Sequence, residues 1–319
     1  YATSFKAPDL HWVFSEGSGS FGSATDTWRC MANGANPGCS GYSYSMFSVT
    51  RGDPALEEET GKSWSAGFVW DIVDGLSISA DYWDIELNGA LERLATADIL
   101  DDEAGCRTGR NRANNDAFGF AADSGYCQLI TSLVTRRPED GQAIDRVAEV
   151  RSLPINQAFR RVAGIDAGLN WRVSTERFGR YGVRLNWSHT LTSERQITAT
   201  DPVERHWRDD VRNLDFRSRA TAGLDWKGGD WTASLFTTRY GTLPKVGTEQ
   251  IKGRTGVHYL WNANVGKQIT DKAQVKVYVN NLFNNLHPND ETNSSFPYFY
   301  DVYNPVGREV AVQFEYAFR

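Results

Sequence analysis

The side chains most able to do chemistry in this chain are its four cysteines, which fall into two close pairs. Cys30 is close to Cys39, and Cys106 is close to Cys127. A metal site on either pair would need further histidine or acidic ligands at suitable spacing. No histidine lies within either pair. We therefore expect two disulfides, Cys30–Cys39 and Cys106–Cys127, each within one connecting segment, and no metal ion.

The histidines do not predict a catalytic site. They are scattered along the chain as His11, His189, His206, His258 and His287. The sequence contains no Gly-x-Ser-x-Gly elbow and no Cys-x-x-Cys pair. We therefore expect no catalytic residue and no cofactor, with an enzyme kept as a minor alternative. The net charge of −6 and the lack of a basic stripe disfavour nucleic-acid binding.

Aromatic side chains form the remaining candidate sites, and they lie in connecting segments. The candidates are Trp12 and Trp28 near the start of the chain and Phe296, Tyr298, Tyr300 and Tyr303 near its end. Such rings can stack on a sugar or on an aromatic chelator, or they can pack a loop against its neighbours. The sequence leaves both readings open. Residues 206–210 (HWRDD) are predicted to be a solvated loop tip.

The end of the chain indicates which elements must position these residues. In GREVAVQFEYAFR an apolar set alternates with mostly polar neighbours; the set is Val310, Val312, Phe314, Tyr316 and Phe318. A strand with one apolar face that ends on an aromatic is typical of the closing strand of a lipid-embedded barrel. Phe314, Tyr316 and Phe318 are accordingly predicted to guide assembly of the barrel.

The same period of two recurs along the chain, although mean hydropathy of −0.50 resembles that of an ordinary acidic soluble protein. No apolar run approaches the roughly 20 residues of a membrane helix, whereas a barrel strand shows lipid only every second side chain. Alternation predicts ten strands, joined by connections that alternate between short and long. The long connections are residues 6–61, 88–158, 192–216, 241–256 and 283–306. This asymmetry is typical of bacterial outer-membrane barrels, whose long loops face outside the cell.

The positions of the tryptophans independently indicate a membrane-embedded sheet, because Trp favours the interface between lipid and water. Trp70, Trp171, Trp226 and Trp231 all lie beside predicted short turns and would form a membrane girdle. The alternative is a soluble β-sandwich, in which these tryptophans would be core residues.

The ten predicted strands do not make a complete barrel, since an open sheet of ten strands would leave two unpaired edges in lipid. We therefore expect residues 1–319 to be the C-terminal part of a longer barrel. A ten-stranded barrel that closes on itself is the alternative.

Five segments, in order, resemble segments of the TonB-dependent receptors. They are residues 1–10 (YATSFKAPDL), 52–59 (GDPALEEE) with 63–67 (SWSAG), 74–83 (DGLSISADYW), 162–166 (VAGID) and 279–284 (VNNLFN). The resemblance covers nearly the whole chain, and a departure is Arg319, since family chains commonly end on the aromatic. It implies an all-β fold, an antiparallel up-and-down transmembrane barrel of 22 strands, of which this chain supplies strands 13 to 22. The N-terminal plug and the first strands are expected to lie outside these residues.

The resemblance also implies a function. An outer-membrane receptor of this family binds a scarce extracellular solute, such as a siderophore or carbohydrate, and imports it with energy from the TonB complex, which engages an N-terminal segment. Outer-membrane lipid, lipopolysaccharide and the barrel assembly machinery are the other expected partners. A passive porin or adhesion barrel without a plug is the alternative. The long connection 88–158 is predicted to contain a helix at residues 96–104 and to capture ligand or to act as a lid.

Overall fold

Ten long strands form one antiparallel sheet in the computed structural model, which describes residues 1–35, 38–112, 115–139, 143–198, 203–205, 215–243, 245, 253–288 and 303–318. Each strand pairs with the next along the chain, and a two-residue strand (Glu204–Arg205) pairs beside the fifth. The ten strands are β1 (Ala2–Lys6), β2 (Glu59–Val73), β3 (Leu76–Asn88), β4 (Phe159–Thr175), β5 (Gly179–Gln196), β6 (Ser218–Gly228), β7 (Trp231–Tyr240), β8 (His258–Thr270), β9 (Ala273–Asn280) and β10 (Glu309–Tyr316). The predicted set of ten strands is confirmed.

The register places the apolar side chains on one face of this sheet. Leu76 pairs with Trp171, Trp171 with Val183, and Val183 with Leu224. Cross-strand partners share a face, so these side chains form one continuous apolar row. We call this the outer face, and the opposite face, with the polar side chains, the inner face. The alternation predicted from the sequence therefore extends across neighbouring strands.

Tight turns join the strands at one end of the sheet. The turn between β2 and β3 is Asp74-Gly75, in which Gly75 has φ +80° and an added Cβ would lie 2.3 Å from the carbonyl oxygen of Arg172. Only glycine combines this dihedral with so close an approach. The backbone geometry of Gly75 thus fixes the turn at this end of the sheet.

A β-bulge interrupts the predicted alternation in β5. Ala163 pairs with Thr192 and Gly164 with Thr190, so Leu191 is an extra residue without a partner on β4. A bulge of this kind shifts which side chains of a strand face outward. Beyond it, Glu194 shares the outer face with Arg161, which simple alternation along β5 would not predict.

The first two long connections fold together at the other end of the sheet. We call this unit the cap, defined as the described residues of 10–56 and 90–157. Its sheet has the order Ser18–Thr25, Ser43–Thr50, Arg146–Ser152 and Val134–Arg137. A small ladder pairs Leu91–Arg93 with Pro154–Asn156, and Cys39–Tyr42 forms a 3₁₀ turn. Its helices are α1 (Leu10–Phe14), α2 (Thr27–Ala32), α3 (Thr96–Thr108) and α4 (Gly125–Ser132).

Helix α3 is longer than the predicted residues 96–104 and continues through Gly105 to Thr108. An added Cβ at Gly105 would lie 2.5 Å from the ring of Phe118, so this glycine allows close packing within the helix. The helix ends instead at Gly109, which has φ +69° as C-cap.

The cap contains the larger of two buried apolar clusters among the described residues. Its fully buried members include Ile99, Leu100, Tyr126, Ile130, Leu133 and Val150. Ile197, which follows β5, packs into the same cluster and attaches the cap to the sheet. None of the helices in the described ranges is long and apolar enough to cross a bilayer.

Candidate functional site

The short-turn end of the outer face carries the predicted tryptophans. Trp70, Trp171 and Trp231 are exposed there, with Trp70 at 58%. Trp226 is half-buried, and its indole Nε1 donates to the carbonyl oxygen of Phe178 at 2.9 Å. The structure therefore brings the four to one end of one face, and their role as a membrane girdle stays a prediction.

The terminal strand continues the same face. Phe314 pairs with Val275 and is 65% exposed, and the rings of Tyr316 and Phe318 meet edge to face at 4.9 Å. Their role in assembly stays a prediction.

A row of alternating charge crosses the outer face at the end nearest the cap. Its successive register partners are Lys62, Glu86, Arg161, Glu194 and Arg205. Arg161 binds Asp84 with two hydrogen bonds, the shorter 2.6 Å, and Arg205 lies 3.6 Å from Glu194. We call this row the charged ladder.

The charged ladder and the tryptophans lie near opposite ends of the same strands. Trp171 and Arg161 are ten positions apart on β4. At about 3.3 Å per residue and the tilt of about 40° usual for transmembrane β-barrels, this separation would correspond to about 25 Å along the barrel axis, which is the height of the apolar band of those barrels. The apolar part of the outer face therefore has an aromatic boundary below and a charged boundary above.

Both predicted disulfides are present in the cap. The Cα atoms are 5.4 Å apart in Cys30–Cys39 and 5.5 Å apart in Cys106–Cys127. The first ties α2 to the 3₁₀ turn, and the second ties α3 to α4. Each closes a segment within one connection, as the spacing predicted.

A buried ionic network joins the two connections that form the cap. Asp26 of the first and Glu103 of the second are both fully buried, and Arg136 donates to them at 2.9 and 2.7 Å. Burial alone would lower the pKa of Arg136, but its hydrogen bonds to Glu103 and Asp26 outweigh burial and raise that pKa. Arg107 also donates to Glu103, at 2.9 Å. One carboxylate from each connection therefore binds the guanidinium of Arg136, and this holds the two connections together.

Tyr44 extends this network into the cap sheet. Its hydroxyl donates to Asp26 at 2.7 Å and accepts from the backbone N–H of Val147 at 3.0 Å. Burial, followed by the hydrogen bond to Asp26, raises the pKa of Tyr44 to about 12. The phenol is thus neutral throughout the physiological range.

The cap positions the first two aromatic candidates against arginines. The guanidinium carbons of Arg107 and Arg136 lie 4.1 and 4.7 Å from the ring centre of Trp28, and that of Arg93 lies 5.2 Å from the ring centre of Trp12. Cation–π contacts of this kind hold the rings in the packing of the cap. Ligand binding by Trp12 and Trp28 stays a prediction.

Tyr303 lies in the second buried cluster, at the cap end of the inner face. It is 4% exposed, and the surrounding rings belong to Phe216, Tyr240, His258 and His287. Burial raises the pKa of Tyr303. Phe296, Tyr298 and Tyr300, like residues 206–210, lie outside the described residues. The structure therefore gives a location only for the last of the four C-terminal aromatic candidates.

A polar row leads from this cluster across the inner face. Its register partners, from β8 back to β3, are His258, Tyr240, Arg219, Ser188, Asp166 and Asp81. The guanidinium of Arg219 lies 5.0 Å from the ring centre of Tyr240, and part of the row lines a depression of about 360 Å³. We call this the inner row, and together with the Tyr303 cluster it is the candidate binding surface.

Alternation with apolar neighbours predicts Asp166 and Arg219 as inward charges, and the sequence also gives Tyr303 as a candidate. It does not place Tyr240 or His258 in the site, because each is the last or first residue of a strand, where alternation gives the weakest signal. His287 lies far along the chain, and only the fold brings it to Tyr303. No group of three or more His, Cys, Asp or Glu side chains stands close enough to hold a metal ion in the ranges that the structure describes.

The sequence of this chain is similar to that of one family of known proteins. Residues 1–282 match the family described as "TonB dependent receptor-like, beta-barrel". No curated protein matches the chain in sequence.

Solved structures with a similar fold include two receptors. One is a mutant of the ferric enterobactin receptor PfeA of Pseudomonas aeruginosa, with 14% identity, a TM-score of 0.54 and 99% of this chain covered. The other is the siderophore receptor PirA of Acinetobacter baumannii, with 12% identity, a TM-score of 0.56 and 99% covered. The match takes in 37% and 38% of those chains, so this chain spans well under half of their length.

Proposed function

This chain belongs to the TonB-dependent receptor family, and from that premise we propose that it forms the C-terminal part of the barrel of an active importer. Proteins of this family lie in the outer membrane of Gram-negative bacteria and act as receptors and transporters. We propose that residues 1–319 supply strands 13 to 22, and that the plug and the remaining strands belong to sequence outside them.

The observation in the structure that supports the membrane barrel most directly is the different chemistry of the two sheet faces, and the family supports import. The outer face is apolar between the tryptophans and the charged ladder, whereas the inner face carries the inner row. A wall of this kind suits lipid on one side and a polar interior on the other. Among the described residues, the connections that contain helices or strands lie at one end of the sheet, which we propose is where the receptor meets its ligand.

We propose that the solute binds where the inner row meets the Tyr303 cluster, beneath the cap. Arg219, Asp81 and Asp166 would supply charge and hydrogen bonds, Tyr240 would supply aromatic surface, and the buried Tyr303 would hold the ring of Tyr240 in place. Trp12, Trp28, Phe296, Tyr298 and Tyr300 are proposed to contribute from the loops. The proposed solute class is a siderophore, a carbohydrate or a similar scarce molecule; PfeA, of the same fold, is by its name a ferric enterobactin receptor.

The proposed partners follow from the same placement. The TonB complex would engage a segment outside these residues, and energy from it would drive import. Lipid and lipopolysaccharide would surround the outer face, and the assembly machinery would engage Phe314, Tyr316 and Phe318.

Uptake by a deletion strain tests the proposal. The strain, complemented with the full-length gene, is grown under iron limitation with a panel of siderophores and on single oligosaccharides as carbon source. We expect growth on one solute to require both the gene and an active TonB complex. Uptake that persists without TonB would instead support a passive porin and contradict the proposal.

A pair of aromatic variants locates the binding surface. We expect Tyr303→Ala to lower uptake of that solute by tenfold or more, on the order of the energy of a buried aromatic contact. Phe178→Ala, at the short-turn end, is the matched control and should leave uptake unchanged. Equal uptake by Tyr303→Ala and the wild type would show that the solute binds elsewhere.

A further inference from the structure

One cation near the cap end of the outer face, Arg239, has no ion pair with a carboxylate among the described residues, unlike Arg161 and Arg205 of the charged ladder. Arg239 is the penultimate residue of β7, and its register partners are Ala220 and Tyr259. Ala220 pairs with Trp187 of the apolar set, so Arg239 shares the outer face with that indole. An arginine among lipid-facing side chains requires a partner for its charge.

The height of Arg239 places it at one membrane boundary. Trp231, at the short-turn end of the same strand, is eight positions away. At about 3.3 Å per residue and a tilt of about 40°, that separation is about 20 Å along the membrane normal, close to the roughly 25 Å apolar band of these barrels. Arg239 therefore lies at the level of the headgroups of the outer leaflet, given the outer-membrane location of the family.

The partners of Arg239 leave most of its donors available. Its Nη1 donates to the hydroxyl oxygen of Ser218 at 3.2 Å, and that oxygen also accepts from Nε1 of Trp187 at 3.0 Å. No carboxylate lies within ion-pair distance of Arg239 in the part of the chain that the structure describes. By contrast, Arg161 at the same boundary is bound to Asp84.

The surroundings of Arg239 form a receptor for an anion. A guanidinium has five N–H donors, and a serine hydroxyl that accepts two hydrogen bonds still has its own O–H to donate. The donors therefore come from Arg239 and Ser218. Three rings flank them: Trp187 is stacked on His189 with centroids 5.4 Å apart, and Tyr259 is exposed on the neighbouring strand.

We propose that Arg239 and Ser218 bind a phosphate group of the outer-leaflet glycolipid, lipopolysaccharide. Its lipid A portion presents phosphate at the depth of Arg239, with acyl chains below that level and sugar above. Guanidinium and phosphate match in geometry as well as in charge. The rings of Trp187 and Tyr259 would lie against the sugar and the upper acyl chains, where an amphipathic ring is most stable.

Lipid retention by the full-length receptor tests this proposal. The protein is purified in detergent and exposed to lipid A carrying both phosphates or to the same lipid A after enzymatic dephosphorylation, and native mass spectrometry counts the bound molecules. We expect the wild type to retain phosphorylated lipid A at least about tenfold better than the dephosphorylated form, since hydrogen bonds to charged groups are the stronger class. Equal retention of the two forms would overturn the proposal.

Variants distinguish binding at Arg239 and Ser218 from nonspecific attraction of the lipid to positive charge. Arg239→Gln should lower retention of phosphorylated lipid A at least about tenfold, Arg239→Lys less, and Ser218→Ala several-fold. The matched control is Lys267→Gln, because Lys267 is an outward cation 4.8 Å from the ring centre of Trp231 at the opposite boundary. Lys267→Gln should retain lipid as the wild type does.

Three results would contradict the assignment. Wild-type retention by both Arg239→Gln and Ser218→Ala would exclude these side chains as the site. An equal loss in Lys267→Gln would show a general effect of charge. Displacement of the bound lipid by millimolar inorganic phosphate would show a site for a free anion instead.

Discussion

At the scale of single residues, the cap depends on charges that are buried and shared. Arg136 serves two carboxylates with no exposed surface, and each carboxylate comes from a different connection. A buried ion pair adds little net stability while it is intact, but removing one partner leaves an uncompensated charge. The network therefore favours one relative position of the two connections, since another arrangement would leave Asp26 without its cation.

Arg136→Met should accordingly destabilise the cap by about 3 to 5 kcal/mol, because it leaves Asp26 and Glu103 buried without their shared cation. Hydrogen exchange of cap amides in the full-length protein measures the change. Arg112→Met is the control, since Arg112 pairs with Asp101 at a partly exposed site and should cost less than about 1 kcal/mol. Equal protection of the cap in Arg136→Met and the wild type would contradict a structural role for the network.

Tyr44 gives the cap a dependence on high pH. Its pKa is raised from 10 to about 12, so the folded cap holds this proton more tightly than the unfolded chain does. The stabilisation is therefore fully present below pH 10 and is lost as the pH rises toward 12. The difference in absorbance titration at 295 nm between the wild type and Tyr44→Phe should show one phenol with a midpoint near 12. A midpoint near 10 would mean that Tyr44 is neither buried in the folded cap nor bonded to Asp26.

At the scale of elements, the two disulfides act within the cap and not on the barrel wall. They close segments with separations of 9 and 21 residues. Removing the longer one by Cys106→Ala with Cys127→Ala should destabilise the cap by about 2 to 4 kcal/mol, chiefly by releasing the unfolded chain. Limited proteolysis should then cleave the cap at lower protease concentration, while the heat-dependent gel shift of the folded barrel stays unchanged. Loss of that shift would show that the disulfide also supports the wall.

The strands could be predicted from sequence, whereas of the cap only its two disulfides and the start of helix α3 could be predicted. Lipid on one face imposes a period of two on each strand, so the sequence alone shows that residues such as Val183, Leu185 and Trp187 lie on the lipid-facing side. The cap has no such period. Its parallel strand pair joins Phe47 to Glu149, about a hundred positions apart, and no local pattern encodes that contact.

The candidate site also has a part that could be predicted from the sequence and a part that could not. Asp166 and Arg219 could be predicted as inward charges because they alternate with apolar neighbours. The ring cluster around Tyr303 depends on segments before β6, after β9 and before β10 that meet only in the fold. The charged ladder needed the bulge at Leu191 to bring Glu194 beside Arg161, and a bulge leaves no mark in the sequence.

At the scale of the whole molecule, every proposal depends on two faces that meet different surroundings. The outer face has an apolar band between Trp171 and Arg161, and the inner face carries the inner row. Import, binding at Tyr303 and lipid recognition at Arg239 would all lose their basis if one face did not touch lipid. The family gives the location, and the register gives the orientation of each side chain.

A spin-label scan along β5 of the full-length receptor in lipid tests this claim most directly. Labels are placed one at a time at residues 183–187, and collisions with oxygen, which concentrates in hydrocarbon, are measured. The account predicts a period of two, with high oxygen accessibility at Val183, Leu185 and Trp187 and low accessibility at Arg184 and Asn186. Equal accessibility at all five positions, or a maximum at Arg184 and Asn186, would contradict it.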